Sequence, residues 1–104
     1  MHIQVNTDKN VPGHEATAQR VREILEHNLD RFADQVTRLE VHLSDENSAS
    51  KFGAIDKRCL IEARLAGRPP TVASDLASSV EHAVTGAARK MASLLETELG
   101  RAGR

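Results

Sequence analysis

Asp56–Leu65 reads DKRCLIEARL. In an extended chain Cys59, Ile61, Ala63 and Leu65 project to one side and Arg58, Leu60, Glu62 and Arg64 to the other, which is the period of a strand with one buried face. Val36–Leu43, VTRLEVHL, repeats the pattern with Leu39, Val41 and Leu43 inward and Arg38, Glu40 and His42 outward. The two runs read as neighbours in an antiparallel sheet with one dry and one wet face. The dry face needs a cover, and amphipathic segments before and after the pair supply it. The expected fold is therefore α+β, a sheet with helices on one face.

Upstream of the pair, MHIQVNT alternates Ile3 and Val5 against His2, Gln4 and Asn6 and reads as a short strand, broken by the turn residues of Asp8–Gly13. A helix is expected from His14 to Ala33, because Val21, Ile24, Leu25, Leu29 and Phe32 recur at steps of three and four. Its charges are Glu15, Glu23, Glu26, Asp30 and Asp34 against Arg20, Arg22 and Arg31, a net of −2.

Between the two central strands, SDENSASKFGA is polar and aperiodic, and Asp45–Ala54 is expected to be a mobile hairpin loop. After Leu65, AGRPP turns the chain, and Thr71–Ala73 is expected to be a short strand at most, placed at a sheet edge by the double proline. Ser74 or Asp75 then caps a final helix with a stripe from Leu76 through Val80, Ala83, Val84, Ala87, Met91, Leu94 and Leu95 to Leu99. Gly100 and Gly103 end it, so residues 1–100 are expected to form one domain and 101–104 a disordered tail.

Composition removes several classes of function. A chain of 104 residues is one modest domain. With no Trp, no Tyr and only Phe32 and Phe52, the core is built from Leu, Val, Ile and Ala, and an aromatic platform for stacking single-stranded bases is excluded. A formal charge of −1 is not that of a general polyanion binder, so any contact to nucleic acid must come from a local patch. The single cysteine, Cys59, excludes an intrachain disulfide, and its inward phase reads as a small buried hydrophobe that is chemically inert. No apolar run is long enough to span a bilayer and the first residues lack the apolar stretch of a signal peptide, so the expected location is cytoplasmic.

No motif points to catalysis. The histidines His2, His14, His27, His42 and His82 have no metal-ligand spacing, and no glycine-rich phosphate loop, nucleophile elbow or marked carboxylate pair is present. No cofactor, metal or small-molecule substrate is therefore expected, and the chain is not read as an enzyme. What remains is charge. Basic residues fall on the first helix, on the central strands and their loops, and on the last helix at Arg89 and Lys90. His82, Gly86, Arg89 and Ser93 share one face of that helix. Gly86 either lets a phosphate backbone approach this face or relieves crowding where the helix crosses the sheet.

The strand HIQVNTD, the run RLEVHLSDEN, the hairpin DKRCLIEARLAGRPP and the helix SDLASSVEHAVTGAARKMASLL, in this order, resemble short, single-domain members of the ribosome hibernation promoting factor family, also called ribosome-associated inhibitor proteins. The resemblance covers nearly the whole chain. It implies a βαβββα fold like that of double-stranded RNA-binding domains, with a four-stranded sheet and two helices on one face. It also implies a stress or stationary-phase factor that binds the small ribosomal subunit and its RNA and reversibly inhibits translation by blocking the channel of messenger and transfer RNA. On this reading the RNA-binding residues are Arg89, Lys90 and His82 on the last helix, Arg20, Arg22 and Arg31 on the first, and Lys57 and Arg58 on the central strand. No membrane partner is implied. The near-neutral balance and acidic first helix leave open an alternative, a protein-interaction module of the same fold that has lost binding to ribosomal RNA.

Overall fold

The computed structural model describes residues 1–8, 14–45 and 55–102. Strand β1 is His2–Thr7, helix α1 His14–Leu29, β2 Val36–Asp45, β3 Lys57–Leu65, β4 Thr71–Ala77 and helix α2 Val80–Ala102, with a short 3-10 turn at Asp30–Phe32 after α1. The sheet order is β1-β2-β3-β4. β1 runs parallel to β2, with Ile3 beside Leu39 and Val5 beside Val41, and α1 is the crossover between them. β2–β3 and β3–β4 are antiparallel, with Val41 beside Ile61 and Ile61 beside Ala73. This is the α+β, βαβββα arrangement expected from the alternating strands.

The inward residues Leu39, Val41 and Leu43 of β2 and Cys59, Ile61 and Ala63 of β3 are each 3% exposed or less, and Val36 and Leu65 at the strand ends are buried with them. They meet Val21, Leu25 and Leu29 of α1 and Val84, Ala87, Met91 and Leu95 of α2 in one cluster. The alanines Ala63, Ala83, Ala87 and Ala88 are all buried, and their small side chains let α2 lie close on β3 and β4. Each of the large aliphatic side chains removes enough apolar surface from water to contribute about 1.5–3 kcal/mol. Burial also fixes the thiol of Cys59: desolvation, reinforced by the nearby Asp75 carboxylate, pushes its pKa up to about 12, so it is a neutral filler.

Two expectations at the end of the sheet need correction. β4 is seven residues long, continuing through Ser74 and Asp75 to Ala77, because β3 is long enough to pair with all of it from Ala63–Thr71 to Lys57–Ala77. Ser74 and Asp75 look like helix caps but lie within this ladder, where tertiary pairing overrides their local preference. The cap is Ser79, whose hydroxyl accepts the His82 N–H at 3.1 Å while its carbonyl accepts the Ala83 N–H. Leu76 consequently belongs to the outer face of the sheet, 49% exposed, rather than to the helical stripe, and Leu94 is also exposed. α2 continues past Gly100 to Ala102. The loop expected to be mobile, Asp45–Ala54, lies outside the described residues apart from Asp45 itself.

Candidate functional site

α1 and α2 lie side by side over the sheet, and two ion pairs join them: Arg20 Nε to Glu81 at 3.0 Å and Arg31 to Glu96 at 2.6 Å. Arg20 also reaches Glu23 at 3.3 Å, and the guanidinium of Arg31 stacks 4.6 Å from the ring centre of Phe32. Hydrogen bonding to Glu81 and then to Glu23 raises the pKa of Arg20 further above its ordinary value. These side chains are about half exposed, so the pairs contribute little to stability. They do turn two of the expected RNA-binding arginines toward carboxylates of the chain itself.

On α2 the expected face divides. His82 sits in the first turn with Nδ1 2.9 Å from the Ser79 hydroxyl. Arg89 projects to solvent between the helices, in a polar groove of about 360 Å³ that it shares with Arg20, Glu23, His27, Asn28 and Thr85. Lys90 turns the other way. Its ammonium donates to the backbone carbonyl of Ser74 and to the Asp75 carboxylate, both at 3.1 Å, which ties α2 to β4. Gly86 decides between the two readings given to it: a Cβ there would overlap the Asp75 carboxylate and lie 2.8 Å from its Cγ, so the glycine makes room where the helix crosses the strand.

Lys57 and Arg58 are placed apart from this face. Lys57 lies in the inward phase at the end of β3, 2.7 Å from Asp56 and 3.4 Å from Asp45. The hydrogen bond to Asp56, the largest of the charge-favouring contacts, raises its pKa despite some desolvation. It compensates the buried Asp56 carboxylate. Asp8 supports the same corner by accepting the Asp45 N–H at 3.2 Å. Arg58 points from the outer face of the sheet, opposite the helices, beside Leu76 of β4. On that face Arg38 lies opposite Arg64 and Glu40 opposite Glu62; contacts along each strand, Arg64 to Glu62 at 3.0 Å and Arg38 to Glu40 at 3.3 Å, and the diagonal contact of Arg64 to Glu40 at 3.5 Å offset the like-charge rows.

The structure thus brings Arg20, Arg22, Arg31, His82 and Arg89 onto the helical layer, turns the ammonium of Lys90 from that layer toward β4, and leaves Lys57 and Arg58 on the strands. Among the described residues Arg22 and Arg89 carry no ion pair or hydrogen bond through their side chains, and both are exposed. In sequence the two helices and the turn after α1 are net acidic, with Glu15, Glu23, Glu26, Asp30, Asp34, Glu81, Glu96 and Glu98 against Arg20, Arg22, Arg31, Arg89, Lys90 and Arg101. The groove residues His27, Asn28 and Thr85 are not among the expected site. Their spacing carried the signal: Glu23 and His27, and Thr85 and Arg89, are each four apart on the exposed side of the two helices. Among the described residues no group of three His, Cys, Asp or Glu could hold a metal ion. Among the described residues no helix is long and apolar enough to cross a membrane.

Residues 4–102 match the family model described as sigma 54 modulation protein / S30EA ribosomal protein. In fold the chain is similar to the N-terminal domain of Protein Y from Thermus thermophilus, with a TM-score of 0.73 at 20% identity, covering 93% of this chain and 98% of that one. It is similar also to a ribosomal subunit interface protein from Coxiella burnetii, with a TM-score of 0.68 at 17% identity, covering 96% and 99%. Comparison with curated proteins gives no match. With a family model covering the domain from its first strand to the end of its last helix, the chain belongs to the sigma 54 modulation / S30EA ribosomal protein family.

Proposed function

We propose that this protein is a cytoplasmic, ribosome-associated factor that binds the small subunit and reversibly inhibits translation under stress or in stationary phase, by occupying the channel of messenger and transfer RNA. The observation that carries this reading is the family match over residues 4–102, together with the fold shared with a ribosomal subunit interface protein. The mechanism is steric: a small closed domain excludes larger ligands from a channel without chemistry. Arg22 and Arg89 are the cations best placed to meet phosphates, since neither must first leave a carboxylate of its own chain. Arg20, Arg31 and His82 join them only by giving up or sharing present partners.

The test is co-sedimentation of the purified protein with small subunits. Binding should weaken as salt rises, because each phosphate contact releases counterions. Arg22→Glu with Arg89→Glu should abolish binding at low salt while folding is retained, exposed charge changes costing about 0.5 kcal/mol or less. One observation favours a second reading: the helical layer has more carboxylates than cations. If subunit binding survives the double reversal, this layer faces a basic protein surface rather than RNA, and the protein-interaction reading takes precedence.

A further inference from the structure

β4 is the last strand of the sheet, and among the described residues no strand pairs with its outer side. The backbone parity of that side follows from the far edge. The carbonyl of Leu43 accepts from Asp8 N–H and that of Val41 from the Asn6 amide, so these β2 groups face β1. Their neighbours His42 and Glu40 therefore face β3, and across the register Leu60 and Glu62 face β2 while Cys59 and Ile61 face β4. Ala73 and Asp75 answer them, which turns the N–H and C=O groups of Val72, Ser74 and Leu76 to the open edge. The ammonium of Lys90 reaches the Ser74 carbonyl at 3.1 Å, as this parity requires.

Two protections of an edge are present, the inward charge of Asp75 and the Lys90 ammonium on the Ser74 carbonyl, and the strand itself supplies no others. β4 contains no lysine and no proline, and its pairing with β3 has no bulge. Three of the large hydrophobic residues left most exposed border the same edge: Val72 at 49%, Leu76 at 49% and Leu94 at 43%. Leu94 lies there because it is four residues from both Lys90 and Glu98, each of which bonds β4, Glu98 through the Thr71 hydroxyl at 2.7 Å.

We propose that this edge binds a second copy of the chain, β4 against β4 in antiparallel register about a two-fold axis at Ser74. Ser74 then faces Ser74 of the second copy and Val72 faces Leu76 on both sides of the axis, all in the hydrogen-bonding phase. The sequence is self-complementary in this register: two apolar cross-strand pairs form on the outer face, and no charged residue of the strand meets its like, Asp75 facing Ala73. Charge complementarity extends to α2. Lys90 and Asp75 of the two copies converge over the joined strands as two cations and two carboxylates, so each Lys90 can bridge its own Asp75 and the other. Because α2 lies over β3 and β4, strand spacings of about 4.8 Å bring the two α2 helices to about 10 Å, helix-packing distance, with Leu94 on the facing sides.

Sedimentation equilibrium of the intact chain from micromolar to millimolar concentration tests this. The expected result is a closed dimer, with amide exchange at Val72, Ser74 and Leu76 slowed as concentration rises. Val72→Lys, whose new ammonium can settle beside Glu62 in the same chain, should return the protein to monomer with its circular dichroism unchanged. Ser74→Pro removes an N–H that β3 does not use and should do the same. A wild-type chain that remains monomeric at millimolar concentration overturns the proposal, as does a dimer that survives Val72→Lys or whose Val72, Ser74 and Leu76 amides gain no protection.

Discussion

Gly86→Ala separates the packing of α2 on β4 from the general preferences of a helix. In an exposed helix interior the change stabilises by about 1 kcal/mol, since alanine loses less backbone entropy on folding. Here the new methyl would overlap the Asp75 carboxylate, with Cγ at 2.8 Å and Cβ at 3.3 Å. The carboxylate end can swing away, but Cβ belongs to a strand locked in register with Cys59. Relief therefore requires Asp75 to leave its Lys90 partner and the strand or helix to shift, an overpacking cost of about 1–3 kcal/mol. The sum is a loss of about 0–2 kcal/mol, where propensity alone gives a gain. In an Asp75→Ala background the carboxylate is gone and only the Cβ contact at 3.3 Å remains, so the same Gly86→Ala change should be less costly than in the native chain and stabilise by up to about 1 kcal/mol. Urea unfolding followed by circular dichroism measures all four chains of the cycle. If Gly86→Ala is equally stabilising with and without Asp75, the carboxylate does not fill the space beside residue 86 and the account of the α2–β4 contact is wrong.

Leu25→Ala, at a side chain with no exposed surface at the junction of α1 and the sheet, should cost about 2–5 kcal/mol in the same assay. Cys59 should resist a thiol reagent in the native protein and react once it is unfolded. Its thiol stays neutral in the fold up to about pH 12, while the unfolded thiol ionises near its ordinary 9.0, so stability should fall as pH rises between these values and be unaffected by Cys59 below them; Cys59→Ala should remove that slope. Lys57→Met strands the buried carboxylate of Asp56, and should lower the melting temperature more than Arg22→Met, which removes an exposed cation without a partner.

The sequence by itself determined the layers. Alternation in LEVHL and CLIEARL assigns the inward residues from Leu39 to Leu43 and from Cys59 to Leu65, because a one-residue slip would put Glu40 and Glu62 in the apolar interior, whereas Val36, buried but out of phase, comes inward only through the register shift between Val36 and Arg38. The steps of three and four from Val21 to Phe32 and from Val80 to Leu95 leave only one face of each helix able to cover that surface. Arg89 and Arg22 were also legible as exposed cations, since they lie off both stripes. What the tertiary structure decided lies where local chemistry is ambiguous. TVASDLASS contains four serine or aspartate residues able to cap a helix, Ser74, Asp75, Ser78 and Ser79, and only the length of β3 available for pairing makes Ser79 the one used and extends β4 through Asp75. Lys90 adjoins Arg89 in sequence, yet the 100° turn between successive helical residues sends one toward Asp75 and leaves the other in the groove between helices. The contacts Arg20–Glu81 and Arg31–Glu96 span more than sixty residues and arise only because α1 and α2 are laid together. Periodicity records which side of an element is buried; which carboxylate meets a given cation depends on elements far apart in the chain, and is fixed only when they pack.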